Sequence, residues 1–195
     1  MPLLEHAVKR AFEAPEVSHM VIVAPASQLA EAGAIASRTG RAVDVDVVAG
    51  GAERTHSVAA GLAALRPDDG IVLVHDAARA LAPPALFSRL VREVRNGHPA
   101  VVPGIPVSDT IKAVDVAGRV TGTPDRSTLR AIQTPQAFLR EVLLHAHASG
   151  VQATDDAALV ERIGGHVRVV EGDRLAFKIT TPDDLATAER HLADA

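Results

Sequence analysis

Short apolar runs alternate with amphipathic stretches along the whole chain. Leu3, Leu4, Ala7, Val8 and Ala11 recur at helical spacing, so residues 3–11 predict a helix. Residues 19–24 read as a strand, and residues 27–37 as a helix with an Ala-rich face. Residues 43–48 alternate Val and Asp and stop at Gly50-Gly51, and residues 57–65 read as a helix. Residues 71–74 are apolar throughout, the mark of a strand covered on both faces. Ala82-Pro83-Pro84 opens a further helix, because Pro fits a first turn, and Leu86, Leu90, Val91 and Val94 form its apolar side.

Beyond it, residues 100–102 predict a strand, residues 138–148 and 155–163 helices, and residues 166–170 and 175–179 strands. The last helix begins at Thr181-Pro182-Asp183-Asp184, which supplies a cap, a first-turn Pro and two acids suited to the helix dipole. This alternation predicts an α/β fold with a doubly wound, mainly parallel sheet. One region breaks the rhythm. Residues 111–114 and 119–121 flank Ala117-Gly118, a hairpin signal, so about residues 107–128 are expected to project as an arm. Such an arm is a natural dimer contact; a plain surface hairpin fits those residues equally well. Without repeats or a dividing linker, residues 1–195 read as a single domain.

Composition narrows the function. The chain has 195 residues, 47% of them apolar, enough for one sizeable core. No apolar run approaches the ~18 residues of a membrane span. Met1-Pro2-Leu3-Leu4-Glu5-His6 lacks the basic and apolar pattern of a leader, so a cytoplasmic protein is expected. With no Cys, disulfide and thiolate chemistry are excluded. The nine His lack metal-ligand spacing: His145 and His147, two apart, point in different directions on a helix. A net charge of −4 with no Trp or Tyr argues against a nucleic-acid partner. A small anionic substrate, needing only a few local bases, stays open.

Candidate chemistry sits at element ends. In Val74-His75-Asp76-Ala77-Ala78-Arg79 a buried strand delivers Asp76 and Arg79 to the sheet edge where α/β enzymes bind ligands; a solvated turn with a surface ion pair is the plainer alternative. In 175–179, Leu175, Phe177 and Ile179 face one way and Lys178 the other, so Lys178 meets either an anion or solvent. Gly50-Gly51-Ala52-Glu53-Arg54-Thr55-His56-Ser57 follows a strand and opens a helix, as anion-binding loops do; a tight turn with a Ser cap explains it as well. Thr110, Arg126, Thr134 and Thr154 stand at element boundaries, a hydroxyl-and-guanidinium set that suits a phosphomonoester. The plain reading of Thr154 is a helix cap, and Arg126 has Asp125 as a neighbouring partner.

Six stretches, in order, resemble the 2-C-methyl-D-erythritol 4-phosphate cytidylyltransferase family. They are Gly50-Gly51-Ala52-Glu53-Arg54-Thr55-His56-Ser57-Val58, Val74-His75-Asp76-Ala77-Ala78-Arg79, Val107-Ser108-Asp109-Thr110-Ile111-Lys112, Gln133-Thr134-Pro135-Gln136-Ala137-Phe138, Thr154-Asp155-Asp156-Ala157 and Phe177-Lys178-Ile179-Thr180. The resemblance implies a Rossmann-like fold and the joining of CTP to the sugar-alcohol phosphate with release of pyrophosphate. It implies that Gly51 and Ser57 contact the cytosine and that Arg54, Asp76 and Ala77 border the rest of the nucleotide, with Asp76 on Mg²⁺. It implies that Arg126 and Lys178 hold the incoming phosphate, with Thr110, Thr134, Thr154 and Arg79 beside it. It also implies a homodimer in which the arm carries Thr110 and Arg126 to the partner's site.

Family members open with a strand and a Gly-rich loop carrying an Arg and a Lys, and no Gly-rich loop precedes Leu3 here. The domain is therefore expected to be N-terminally incomplete, poorly active and prone to aggregate, because the absent strand belongs inside the sheet. Two other functions compete. One is a sister cytidylyltransferase acting on a polyol phosphate such as ribitol 5-phosphate. The other is a non-catalytic binding protein on the same fold.

Overall fold

The computed structural model describes residues 1–39, 41–151 and 153–193. In chain order these form α1 (Leu3–Phe12), β1 (Met20–Ala24), α2 (Leu29–Arg38), β2 (Val45–Ala49), α3 (Arg54–Ala63), β3 (Ile71–Val74), α4 (Pro84–Arg95) and β4 (Ala100–Pro106). There follow β5 (Ala113–Val114), β6 (Val120–Gly122), β7 (Arg130–Ile132), β8 (Gln136–Leu139), α5 (Arg140–Ala148), α6 (Asp156–Arg162), β9 (Arg168–Glu171) and α7 (Pro182–Ala193).

The principal sheet has five strands. β8 lies between β3 and β4 and runs antiparallel to both, β7 continues antiparallel along β4, and β9 pairs parallel with β4. β3, β4 and β9 therefore share one direction, the parallel framework that the strand–helix alternation predicts. β7 and β8 are additions to it. The expected helix over 138–148 gives up its first residues to β8, where Phe138 pairs with Val72 and Ala100. A separate ribbon pairs β1 parallel with β2, from Met20↔Val45 to Ala24↔Ala49.

Helices cover both faces of the five-stranded sheet, and alternation along each strand decides what each face buries. Val101 and Ala137 pack beneath Leu86, Phe87, Leu90 and Val94 of α4. Val102 and Phe138 point the other way, into Leu62, Leu143, Leu159 and Val160. Each of these large side chains contributes about 1.5–3 kcal/mol by leaving water. Val8 of α1 and Ala32 and Ala36 of α2 close over Ile22 of the ribbon.

β1 and β3 do not pair with one another. Between their facing edges runs a slot of about 360 Å³, walled by Met20–Val23 and Ile71–Val74 and closed by α1 on one face and α3 on the other. Backbone groups along these edges have no ladder partner on the slot side, and unpaired edges template association with other strands. Amides of β1 and β3 are thus expected to exchange with solvent faster than those of β4, which is paired on both sides. Self-association should rise with concentration. Hydrogen exchange and sedimentation velocity check this; uniform protection in a strictly monomeric sample contradicts it.

Residues 175–179 are not a strand. Arg174–Ala176 form one 3₁₀ turn capped by the Asp173 carboxylate, and residues 177–180 are irregular. Arg79 Nη1 donates to the Ala176 carbonyl (2.7 Å), and the Ile179 amide donates to the Ala78 carbonyl (2.8 Å). These bonds strap the segment over the loop after β3 and take the place of a ladder. The arm is a short hairpin of β5 and β6, with Gly118 at φ +79° and the Asp115 carboxylate receiving the amides of Ala117 and Arg119. α7 begins with a reciprocal cap: the Asp184 amide donates to Thr181 Oγ1, and the Asp184 carboxylate accepts from the Thr180 and Thr181 amides. Those amide and hydroxyl donors hold the Asp184 carboxyl down to about 2.

Candidate active site

β3 stops at Val74, and the next residues turn out over the carboxyl end of the strand. The Asp76 amide donates to Thr134 Oγ1 (3.0 Å), and the same hydroxyl lies 3.0 Å from His75 Nδ1. Lys178 Nζ sits 3.0 Å from Asp76 Oδ2, and Arg79 Nε is 4.0 Å from the same oxygen. Strapping residues 177–180 against Ala78 is what carries Lys178 to Asp76. Gln133, only 3% exposed, secures the approach: its Nε2 donates to the Asp173 carbonyl and its Oε1 accepts the Asp173 amide. Burial pushes His75 down to about 4, so its ring is neutral near pH 7. Burial also lowers Arg79, with the Asp76 charge opposing, and the guanidinium spends Nη1 and Nη2 on the Ala176 and Ile132 carbonyls.

The loop after β2 forms the second part. Ser57 Oγ accepts the Gly51 amide (3.2 Å) and donates to the Glu53 carbonyl (3.1 Å). The expected Ser cap is therefore displaced: α3 starts at Arg54, and Ser57, one turn in, folds the loop back on the helix. A Cβ at Gly51 would fall 2.4 Å from that of His56, so this close return requires glycine. Arg54, Ser57, Asp76 and Ala77 line a single cavity, which joins the β1–β3 slot.

A buried carboxylate, Asp156, anchors that loop. Arg54 Nη2 lies 2.6 Å from Asp156 Oδ2, and His147 Nε2 lies 2.9 Å from Asp156 Oδ1, with the Asp156 side chain 0% exposed. Burial pushes the Asp156 carboxyl up, but the His147 hydrogen bond and the Arg54 charge outweigh it and hold it below the usual carboxylate range. Beside it, Asp155 accepts the Ala158 amide as the cap of α6 and also the Gln136 amide group (2.9 Å). Asp155, not Thr154, is thus the helix cap; Thr154 is exposed just before it. This network ties the Gly51 loop, β8 and the Thr154 turn together.

The structure gathers Asp76, Arg79, Thr134 and Lys178 in one cluster, and places Gly51 on the adjoining loop with Arg54 and Ser57 in the first turn of α3. Thr110 and Arg126 lie exposed on the arm, where Arg126 Nη1 donates to the Ser108 carbonyl and Asp125 instead caps the turn that follows. Among the described residues no set of three or more His, Asp and Glu could hold a metal ion by itself. No described helix is long and apolar enough to cross a membrane. His75, Gln133, Gln136 and Asp156 were not singled out by sequence reasoning as parts of the site. For Gln133, Gln136 and Asp156 the signal is burial of a polar side chain, and for His75 it is the contact with Thr134; only the fold reveals either.

Cations gathered on one carboxylate at the carboxyl end of an α/β sheet, next to a Gly-rich loop that opens a helix, suit the joining of two anionic substrates. This is a nucleotidyltransferase. The family model described as 2-C-methyl-D-erythritol 4-phosphate cytidylyltransferase matches residues 1–194, and the chain belongs to that family. A relative of that name from Nocardia farcinica is 55% identical over 188 residues, covering 96% of this chain and 80% of the relative. One from Rhodococcus jostii is 53% identical, covering 95% and 80%. The Anaerococcus prevotii 4-diphosphocytidyl-2C-methyl-D-erythritol synthase structure superposes with a TM-score of 0.89 at 29% identity, over 99% of this chain and 86% of that one. The Thermus thermophilus 2-C-methyl-D-erythritol 4-phosphate cytidylyltransferase structure does so with 0.78 at 34%, over 99% and 89%.

Proposed function

We propose that the chain transfers the cytidylyl group of CTP to 2-C-methyl-D-erythritol 4-phosphate, releasing pyrophosphate. The match to relatives of that name over nearly all of this chain carries the reading, and the Lys178–Asp76 pair gives it a chemical centre. The acceptor phosphate, with a second pKa of about 6, is largely dianionic at neutral pH and needs no general base. What it needs is charge neutralisation and alignment with the α-phosphate. Lys178 supplies a half-exposed ammonium for this. Arg79, spent on carbonyls, holds the segment that presents Lys178 and adds positive charge nearby. Gly51, Arg54, Ser57, Asp76 and Ala77 are assigned to the nucleotide, and Lys178, Arg126, Thr110 and Thr154 to the acceptor.

Asp76 fits Mg²⁺ in the manner usual for that ion, one carboxylate sharing it with substrate phosphates. When bound, Mg²⁺ neutralises phosphate charge during displacement. Exposed Val114, Val116 and Val120 make the arm the homodimer contact, through which Thr110 and Arg126 complete the partner's site. A cytoplasmic location is in keeping with a CTP-dependent reaction. Pyrophosphate release from CTP, Mg²⁺ and 2-C-methyl-D-erythritol 4-phosphate tests the reading. Release only with ribitol 5-phosphate, or with neither acceptor, overturns it.

A further inference from the structure

Lys178 is carried by a segment that belongs to neither a sheet nor an α-helix. β9 ends at Glu171; the Gly172 amide still donates to the Gly104 carbonyl of β4 (3.0 Å), and there the ladder stops. At the next residue a side chain takes over. The Asp173 amide donates to Gln133 Oε1 (3.0 Å), and the Asp173 carbonyl accepts from Gln133 Nε2 (2.8 Å). A carboxamide bonded to both backbone groups of one residue stands in for a neighbouring strand. The pairing also fixes its orientation, since only the oxygen can accept from an N–H and only the NH₂ can donate to a carbonyl. Gln133 is itself anchored, because its amide donates to the Pro103 carbonyl of β4 (2.8 Å). A Cβ on Gly172 would fall 2.3 Å from Gln133 Oε1, so the backbone beside the carboxamide is fitted closely to it.

We infer that Gln133 is a positioning residue for Lys178. Its carboxamide sets the path on which the chain leaves β9, and so the point at which the ammonium reaches Asp76. The segment has fastenings at both ends: Gln133 holds Asp173 at the near end, and Arg79 and the Ala78 carbonyl hold Ala176 and Ile179 at the far end. Without the carboxamide, the Asp173 amide and carbonyl must find other partners, and the backbone moves to reach them. A shift of about 1 Å far from the reacting atoms can cost about 100-fold in rate. The inference deepens the cytidylyltransferase reading and rests on it for the role of Lys178.

The test uses the full chain with two independent changes. Gln133→Met keeps the length of the side chain and loses both bonds. Gly172→Ala leaves Gln133 in place and pushes its carboxamide from the far side; should Gln133→Met not fold, it carries the same comparison. Each is expected to lower kcat for pyrophosphate release by about 10–100-fold, with the KM for CTP unchanged, and to speed hydrogen exchange at the Asp173 and Ile179 amides. Made in a Lys178→Ala background, the same changes should cost nothing further, because the group they misplace is already gone. An equal loss in both backgrounds means that Gln133 only supports the fold, and overturns the inference. So does an intact kcat in a folded variant, or unchanged exchange at the two amides. The exchange readout needs no turnover, so a failure of the catalytic reading, seen as no pyrophosphate release from the unsubstituted protein, is distinguished from a failure of Gln133 to hold the segment.

Discussion

Lys178→Ala is expected to cut cytidylyl transfer by about 100- to 1,000-fold, the usual cost of removing one preorganised charge aimed at a transition state, without unfolding the protein. Half of the Lys178 side chain is exposed, and its main contact is the 3.0 Å pair with Asp76. Neighbouring Ala176 and Ile179 are buried and hold the segment in place whether or not the ammonium is present. The remaining cation near Asp76, Arg79, has Nε 4.0 Å from the carboxylate, and its Nη groups are bonded to backbone carbonyls, so it cannot swing to replace Lys178. Pyrophosphate release and the unfolding midpoint, measured together, check this. A rise in the KM for the acceptor alone, with kcat intact, would reduce Lys178 to a ground-state binding group. Lys178→Arg should rescue poorly, since a planar fork on a longer stem does not put its charge where a point ammonium stood.

Legibility from the sequence followed how local each signal was. Ile71–Val74 is a strand bounded as predicted, because four apolar residues stop abruptly at a charged turn. α4 follows its Pro start and apolar stripe, and Leu86, Leu90, Val91 and Val94 are all buried. β7 and β8 carry no such signal. Arg130–Ile132 and Gln136–Leu139 are short, and they become strands by pairing with segments far earlier in the chain, β7 with β4 and β8 with both β3 and β4. The apolar residues of β8 also run straight into those of α5, which is why they read as one helix. At 175–179 alternation suggested a strand, but Arg79 and Ala78 take the backbone groups that a ladder would use.

In the site, Asp76 was legible as a charge ending an apolar run, and Lys178 as the polar side chain of an alternating segment, each with a solvent-facing alternative that only the fold removes. Their 3.0 Å contact joins residues 102 positions apart. Thr134 was legible as a polar boundary residue, but its burial and its bonds to Asp76 and His75 were not. Asp156 gave no signal of its own, because Thr154 read as the cap of that helix; the fold makes Asp155 the cap and buries Asp156 beside it.

That buried carboxylate carries the largest stability effect expected in the molecule. Asp156→Ala leaves Arg54 without its 2.6 Å partner and His147 without its 2.9 Å acceptor. Arg54 is 39% exposed, so water takes up its charge; the buried His147 ring left without its acceptor costs about 1–3 kcal/mol, still a sizeable share of the ~5–15 kcal/mol that holds a typical domain together. Asp156→Asn keeps the shape and one acceptor, and should fall between Ala and the natural residue. The pH dependence follows from the direction of the shift. Asp156 is held below its ordinary value of 3.8 in the folded protein. Its contribution is present in full above that value and is lost as pH falls below it, through the folded-state pKa. Denaturant titrations across the acid range should show the natural protein losing stability there more steeply than Asp156→Ala, so that the two curves converge at low pH. Parallel curves would mean that the carboxylate contributes through packing and not through its charge.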